Sequence, residues 1–394
     1  MAAGFLTKRI LVVRETTPGV IPTNPVCLEF LAETFGLKEV QASEQINLLG
    51  SGGDASPLAF GGSDFNGAVG IVASVDNIPV VMTHIAGLPL STANATSDAY
   101  PVIATVVTVG DMFNHSDGKH TLTCIEAGTT SGTEPTLNAN PNLDRNKKVT
   151  DGTAVFIANP LLKTYTFERK QQLPTFTIEY EMENAEGEEF YKRFSKVYMN
   201  ALPVAMAGDT ISLKVSGDFM AAVANDSTSA TWDEELSAKT GAKIIPMFKN
   251  FYTYEDCTVK KDDVAFCEVQ TINMDISRNV TIQKALNRCK IADVGAVTAS
   301  GAMTAVFKIA DYENNKNHTD FKLSFEFRKD NGCQFILNFP LVKPSQSDPD
   351  QTFDKQAMMT STLSAYGESG TQSFNATVIA PALIDSTGAV IGTY

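Results

Sequence analysis

The stretch Lys163-Thr-Tyr-Thr-Phe-Glu-Arg169, followed by Thr175-Phe-Thr-Ile-Glu-Tyr180, decides the fold class. Aromatic and β-branched residues alternate with polar ones, which is the period of a strand with one face covered. Val197-Tyr-Met-Asn-Ala-Leu202 and Ile211-Ser-Leu-Lys-Val-Ser-Gly-Asp-Phe219 continue the pattern, punctuated at Gly187 and at Gly208-Asp209. The reading is an antiparallel sheet and a mainly β chain.

Working outward from this sheet, residues 1–20 combine a strand signal, Ile10-Leu-Val-Val13, with a turn at Thr17-Pro-Gly19. Asn47 to Gly70 is rich in Gly and Ser but lacks the spacing and the Lys of a phosphate-binding loop, so it reads as a long loop or hairpin tip. Val75 to Gly87 reads as a short helix capped by Asp76, with Ile78, Val81, Met82 and Ile85 on one face. From Trp232 a second β-rich unit begins. Its Val297-Thr-Ala-Ser-Gly301 echoes Val215-Ser-Gly217, and Asp330-Asn-Gly332 marks a tight hairpin. Phe374-Asn-Ala-Thr-Val-Ile-Ala-Pro381 is read as the last strand.

Composition narrows the function classes. The 394 residues are 43% hydrophobic and 19% charged, ordinary values for a folded chain with two or three domains. The formal charge of −14 argues against a protein that grips nucleic acid by its phosphates. No apolar run is long enough to span a bilayer, and the basic pair Lys8-Arg9 follows the short apolar patch instead of preceding it, unlike a secretory signal. Cys27, Cys124, Cys257, Cys267, Cys289 and Cys333 include no C-x-x-C pair and are expected to be free thiols.

Candidate chemistry is sparse. His115 and His120 are poorly spaced for a metal site, and no G-x-S-x-G stands in the chain. The run Glu179, Glu181, Glu183, Glu186, Glu188, Glu189 is read as a solvated face around one turn. No enzyme and no cofactor are expected.

Two resemblances complete this reading. Gly128-Thr-Thr-Ser-Gly-Thr-Glu-Pro135 and Val149-Thr-Asp-Gly-Thr-Ala-Val-Phe156 resemble small β modules that decorate phage virion proteins, some of them akin to chitin-binding domains. That resemblance implies outer-surface contacts at Tyr100, Glu134 and Phe156, although Phe156 stands where such modules usually carry Trp. The wider chain resembles a tail tube protein (major tail protein) of long-tailed, non-contractile bacteriophages. The carriers are Glu15 to Gly19, the Gly-rich loop before Val72, the helix near Asp76, Tyr165-Thr-Phe-Glu-Arg169, Tyr198-Met-Asn-Ala-Leu202, and their counterparts up to Phe335-Ile-Leu-Asn-Phe-Pro340.

The resemblance implies two tandem β-sandwich or barrel domains, each with a short helix. Their expected bounds are 1–97 with 158–230, and 231–394, with a small inserted β module at 98–157. It implies self-assembly as trimeric, pseudo-hexameric rings that stack into a hollow tube, which removes exposed strand edges. It further implies a virion location, assembly in the host cytoplasm, and passage of DNA and a tape measure protein through the lumen. Tail terminator and tail-tip proteins are the other expected partners. Ring stacking is assigned to Asn47, Leu48, Leu49, Ser51, Asp54, Pro57, Leu58 and Phe60, where Leu48, Leu49, Leu58 and Phe60 are apolar residues on a flexible loop. A carbohydrate-binding surface protein acting through residues 98–157 is the alternative.

Overall fold

The computed structural model describes residues 6–45, 58–207, 214–284, 290–345, 348–350, 356–368 and 372–391. The chain opens with β1 (Leu6–Arg14), β2 (Val26–Glu29), β3 (Ala32–Phe35), β4 (Lys38–Gln45) and β5 (Leu58–Val72), then α1 (Asn77–Ala86) and β6 (Ser91–Asn94). Six short strands follow: β7 (Val106–Val107), β8 (Met112–Asn114), β9 (His120–Glu126), β10 (Gly128–Thr129), β11 (Lys147–Asp151) and β12 (Ala154–Pro160). The expected central strands are β13 (Leu162–Glu168), β14 (Phe176–Glu183), β15 (Glu189–Ala207) and β16 (Lys214–Asp226). The second half holds β17 (Lys243–Ile245), β18 (Cys257–Lys261), β19 (Val264–Ala265), β20 (Val269–Ser277), β21 (Val280–Lys284), β22 (Lys290–Val294) and β23 (Thr298–Val306). It ends with α2 (Ile309–Lys316), β24 (Phe321–Arg328), β25 (Gln334–Pro344), β26 (Met358–Ala365) and β27 (Asn375–Pro381). The fold is mainly β, as the alternation predicts.

Two layers enclose the core. One runs β5–β16–β15–β20–β23–β26, with β3 and β4 both on the outer edge of β5. The other runs β6–β13–β27–β25–β24–β18. A short pairing of Val342–Pro344 with Leu363–Ala365 joins them at one side. β15 is long enough to serve two neighbourhoods: its first half pairs with β14 and its second with β20. A register shift between Met199 and Ala201 marks the change of partner along β16. The two Ser-Gly strands, β16 and β23, flank the β15–β20 pair on opposite sides.

One hydrophobic cluster fills the space between the layers, and both halves of the sequence feed it. It includes Val69, Ile71, Tyr165, Phe167 and Phe219 from the first half and Met274, Phe325, Phe339 and Val378 from the second. Fully burying such side chains contributes roughly 1.5–3 kcal/mol each. α1 packs against β13, β15 and β27, and every residue from Asn77 to Ala86 is buried. A helix covered on all sides needs no polar face, which explains its run of Ile, Val and Met.

The predicted cap is corrected. Asp76 makes no side-chain cap bond to the helix. Ser74 Oγ instead accepts the Asn77 N–H, while Asp76 takes Arg145 at 3.1 Å and the Phe248 N–H at 3.0 Å. The acidic run is corrected too. Glu179 and Glu181 are buried, the first against Arg193 at 2.7 Å and the second against Arg9 at 2.5 Å. The Trp232–Leu236 segment covers Glu179, with Leu236 donating its N–H to the carboxylate at 2.8 Å. Glu186, Glu188 and Glu189 at the turn are exposed as expected.

β11–β12–β9–β8 form a separate four-stranded sheet, with its own cluster of Tyr100, Val107, Leu122, Cys124, Ala154, Phe156 and Ala158. Its last strand runs to Pro160, past the expected limit at 157. The five described cysteines, Cys27, Cys124, Cys257, Cys267 and Cys333, are free, and Cys289 lies outside the described residues.

Candidate functional site: a sheet face of small side chains

Alternation along the first layer sends Leu202, Val204, Met206, Ile272, Met274, Ile276, Met303 and Leu363 into the core. Their neighbours therefore stand together on the opposite face. Register assembles them into rows across the strands. Ala68, Asp218, Ala201, Ser277 and Thr298 form one row. Pro203, Asp275, Ser300 and Ser364 form the next, and Ala205, Asn273, Ala302 and Thr362 the third. Thr271, Thr304 and Thr360 form a fourth. All are exposed or half-buried.

Free strand faces usually favour β-branched and aromatic residues, because these pack well on a pleated surface. Here the rows are Ala, Ser, Thr, Asn, Asp and Pro, so the face is smooth and presents no large apolar side chain in these rows. Several of its polar groups bond within the sheet. Thr304 and Thr360 hydroxyls lie 2.9 Å apart, and Asn273 Oδ1 accepts the Ala302 N–H at 2.9 Å. Charge in the rows is acidic. Asp218 accepts from Asn200 at 3.0 Å. Burial, and then the Asp218 charge, push the Asp275 carboxyl above its ordinary range. Lysines stand at the margins: Lys38 pairs in register with Asn66, and Lys214 with Ala205 and Val72. A face of this kind offers a phosphate backbone little to grip. Periodicity alone could find these residues, as the complement of the core positions, but not which of them would end side by side.

The residues assigned to ring stacking fall in sequence between β4 and the start of β5. Asn47, Leu48, Leu49, Ser51, Asp54 and Pro57 lie outside the described residues. Leu58 and Phe60 begin β5 and pair with Gln45 and Ser43.

The residues assigned to outer contacts on the small sheet are placed otherwise. Tyr100 is 5% exposed and Phe156 fully buried, with ring centroids 5.7 Å apart. Tyr100 donates its hydroxyl to Asp151 at 2.6 Å. Both aromatics are core of this sheet, so neither offers a stacking platform to a sugar. Glu134 is half-buried and accepts from Ser116 N–H at 2.8 Å.

The His115–His120 turn brings His115, Asp117 and His120 within 4.8 Å of one another, closer than their spacing suggests. Hairpin formation accounts for this. Asp117 Oδ1 accepts the N–H groups of Lys119 and His120, its Oδ2 lies 2.6 Å from His120 Nδ1, and His115 Nε2 lies 3.0 Å from the Pro135 carbonyl. The carboxylate is spent on the turn.

No described helix is long and apolar enough to cross a membrane. No curated protein matches the chain. A family model described as phage tail tube protein matches residues 6–378.

Proposed function

Because the chain belongs to the phage tail tube protein family, we propose that copies of it close into rings with the small-residue face turned inward, and that stacked rings form the conduit for DNA. The chain is thus a structural subunit of a virion tail. The observation that carries the lumen assignment is the smooth, weakly acidic face spread over β5, β16, β15, β20, β23 and β26. A conduit that bound phosphates tightly would stall transit. Three chains at −14 each make the ring strongly acidic as a whole.

The doubled Ser-Gly strands flanking the β15–β20 pair support a ring of three chains with pseudo-sixfold symmetry, in a non-contractile tail. We assign the small sheet of β8, β9, β11 and β12 to the outside of the tube as an inserted module, on the strength of its separate core. The loop carried by the β4–β5 hairpin makes the ring-to-ring contact in this proposal. A tape measure protein occupies the lumen before DNA does, and terminator and tip proteins close the ends.

Electron microscopy of the purified full-length chain tests the reading. Long hollow tubes with threefold rings are expected. Discrete particles would overturn it, and six identical chains per ring would overturn the stoichiometry. Hydrogen exchange tests the stacking loop: amides from Leu48 to Phe60 exchange more slowly in tubes than in free subunits, and equal rates would remove the loop from the contact.

A further inference from the structure

We propose that an apolar groove at one end of the subunit takes Leu48 and Leu49 of a second copy of this chain. The groove encloses about 370 Å³ and is lined by Met206, Tyr254, Val259, Phe266, Val269 and Ile272, among others, with no charged side chain in its wall. Met206 and Ile272 pair across β15 and β20, and both are buried. Val259 belongs to β18 of the second layer, so both layers contribute to the groove. Phe266 and Val269 are half-buried and pack on the main core, and Tyr254 stands 47% exposed. The groove is thus an uncovered end of that core. Covering it removes apolar surface from water at about 25 cal/mol per Å².

Register places the groove at the end of the first layer remote from the start of β5. Val72, Lys214, Ala205 and Asn273 stand level across four strands, and Met206 with Ile272 lies one residue further along. Leu58 is at the other end of β5, where the strand pairs with β4 and has left β16. The 15 residues of β5 set roughly 45 Å between the two ends. Twelve residues, 46–57, link Gln45 to Leu58. Anchored at both ends, they reach at most roughly 20–25 Å from those anchors. They cannot fill the groove of their own chain, whereas a copy stacked head-to-tail brings the two ends together. The chemistry matches as well. An apolar, uncharged wall penalises a charged occupant. Ile46-Asn-Leu-Leu-Gly-Ser-Gly-Gly53 carries no charge and offers two adjacent leucines.

This inference rests on the stacking contact proposed above, and the test separates the two. The groove wall carries an exposed thiol, Cys267. Full-length Leu48→Cys and Leu49→Cys chains are assembled, treated with a mild oxidant and run on a denaturing gel without reductant. The expected result is chains joined to one another in tubes and not in free subunits, and Cys267→Ser in the same background abolishes the joined species. A second variant, Ala265→Glu, sets a carboxylate at an exposed position of the groove. Its subunit keeps the wild-type thermal midpoint, while tube yield falls about tenfold or more, because the carboxylate is desolvated on docking. Tubes in which neither cysteine variant joins to Cys267 overturn the proposal, as does a bond formed within one chain. Normal tube yield from Ala265→Glu overturns it too. In each of these cases slower exchange of the Leu48 to Phe60 amides in tubes would keep the stacking contact and move its receptor elsewhere. Wild-type chain that forms no tubes defeats the assembly reading itself, and the docking with it.

Discussion

At the scale of single residues, buried carboxylates organise this chain more than its surface charge does. Glu15 accepts from Gly19 N–H at 2.6 Å, Lys196 N–H at 3.0 Å and the Thr177 hydroxyl at 2.7 Å. The Glu-x-x-x-Gly spacing is therefore a turn held by one side chain, and Gly19 takes a φ of 81° that a side chain would strain. Glu179 is the second case. Arg193 binds it, also reaches Asp233 at 2.9 Å, and stacks on Trp232 at 4.3 Å. Arg193→Ala leaves Glu179 buried and uncompensated, so a loss of about 3–5 kcal/mol is expected. Urea unfolding followed by Trp232 fluorescence measures it, and Trp232 is the only tryptophan. The small sheet supplies a pH prediction. Burial raises the Asp151 pKa, but bonds from Ser131 and Tyr100 outweigh it, and the net shift is downward. Asp117 and Asp144 are shifted the same way. A depressed folded-state pKa means stability present above the ordinary carboxylate value, about 3.9, and lost as pH falls through the lower folded value. Hydrogen-exchange protection in β9 and β12 is expected to fall below about pH 4. Asp151→Asn is expected to flatten that dependence.

At the scale of elements, the sequence was legible where local rules decide. Alternation located β13, β14 and β20, and Asp330-Asn-Gly332 located the β24–β25 hairpin, where Gly332 has a φ of 85°. What was hidden is partnership. Period 2 separates two faces without saying what covers each, so Glu179 and Glu181 read as solvated although the Trp232–Leu236 segment lies over Glu179. Tyr100 and Phe156 read as surface groups because a resemblance, rather than a packing argument, placed them. α2 has a weak amphipathic pattern and one buried residue, Asn315, and so left no periodic signal to find. The Ser-Gly echo has a physical basis in both copies. A Cβ on Gly301 would lie 1.9 Å from the Asn273 carbonyl oxygen, while one on Gly217 would meet the flexible ends of Phe219 and Met199 at 2.5 and 2.8 Å. Backbone cannot yield as a side-chain tip can. Gly301→Ala is expected to cost about 1–3 kcal/mol or more, and to exceed the cost of Gly217→Ala, by thermal unfolding of the two variants side by side.

At the scale of the whole molecule, the small sheet is fastened to the body by polar contacts. Arg145 reaches Asp76 and lies 3.9 Å over Phe248, and the Asn331 carbonyl accepts from Asn159 at 3.1 Å and Thr123 at 3.2 Å. Joining Asp98 to Ala158 through a short Gly-Ser linker strips Arg145 from a buried carboxylate. The deletion is expected to assemble yet to lose stability, and adding Asp76→Asn is expected to recover part of it; thermal midpoints of both deletions measure this. The face proposed to line the lumen makes a transport prediction. Asn273→Lys with Thr304→Lys leaves tube formation intact but slows DNA release, most at low salt, in a timed ejection assay. A last consequence concerns synthesis. β27 lies between β13 and β25, hydrogen-bonded to both, so the layer containing Tyr165 cannot close until Asn375–Pro381 has been translated. A nascent chain on the ribosome therefore keeps two strand edges unpaired until β27 emerges, and a product that stops short of β27 carries them permanently. Only chains that extend through Pro381 acquire a closed second layer, so a product cut short before β27 lacks the packed face of a finished subunit.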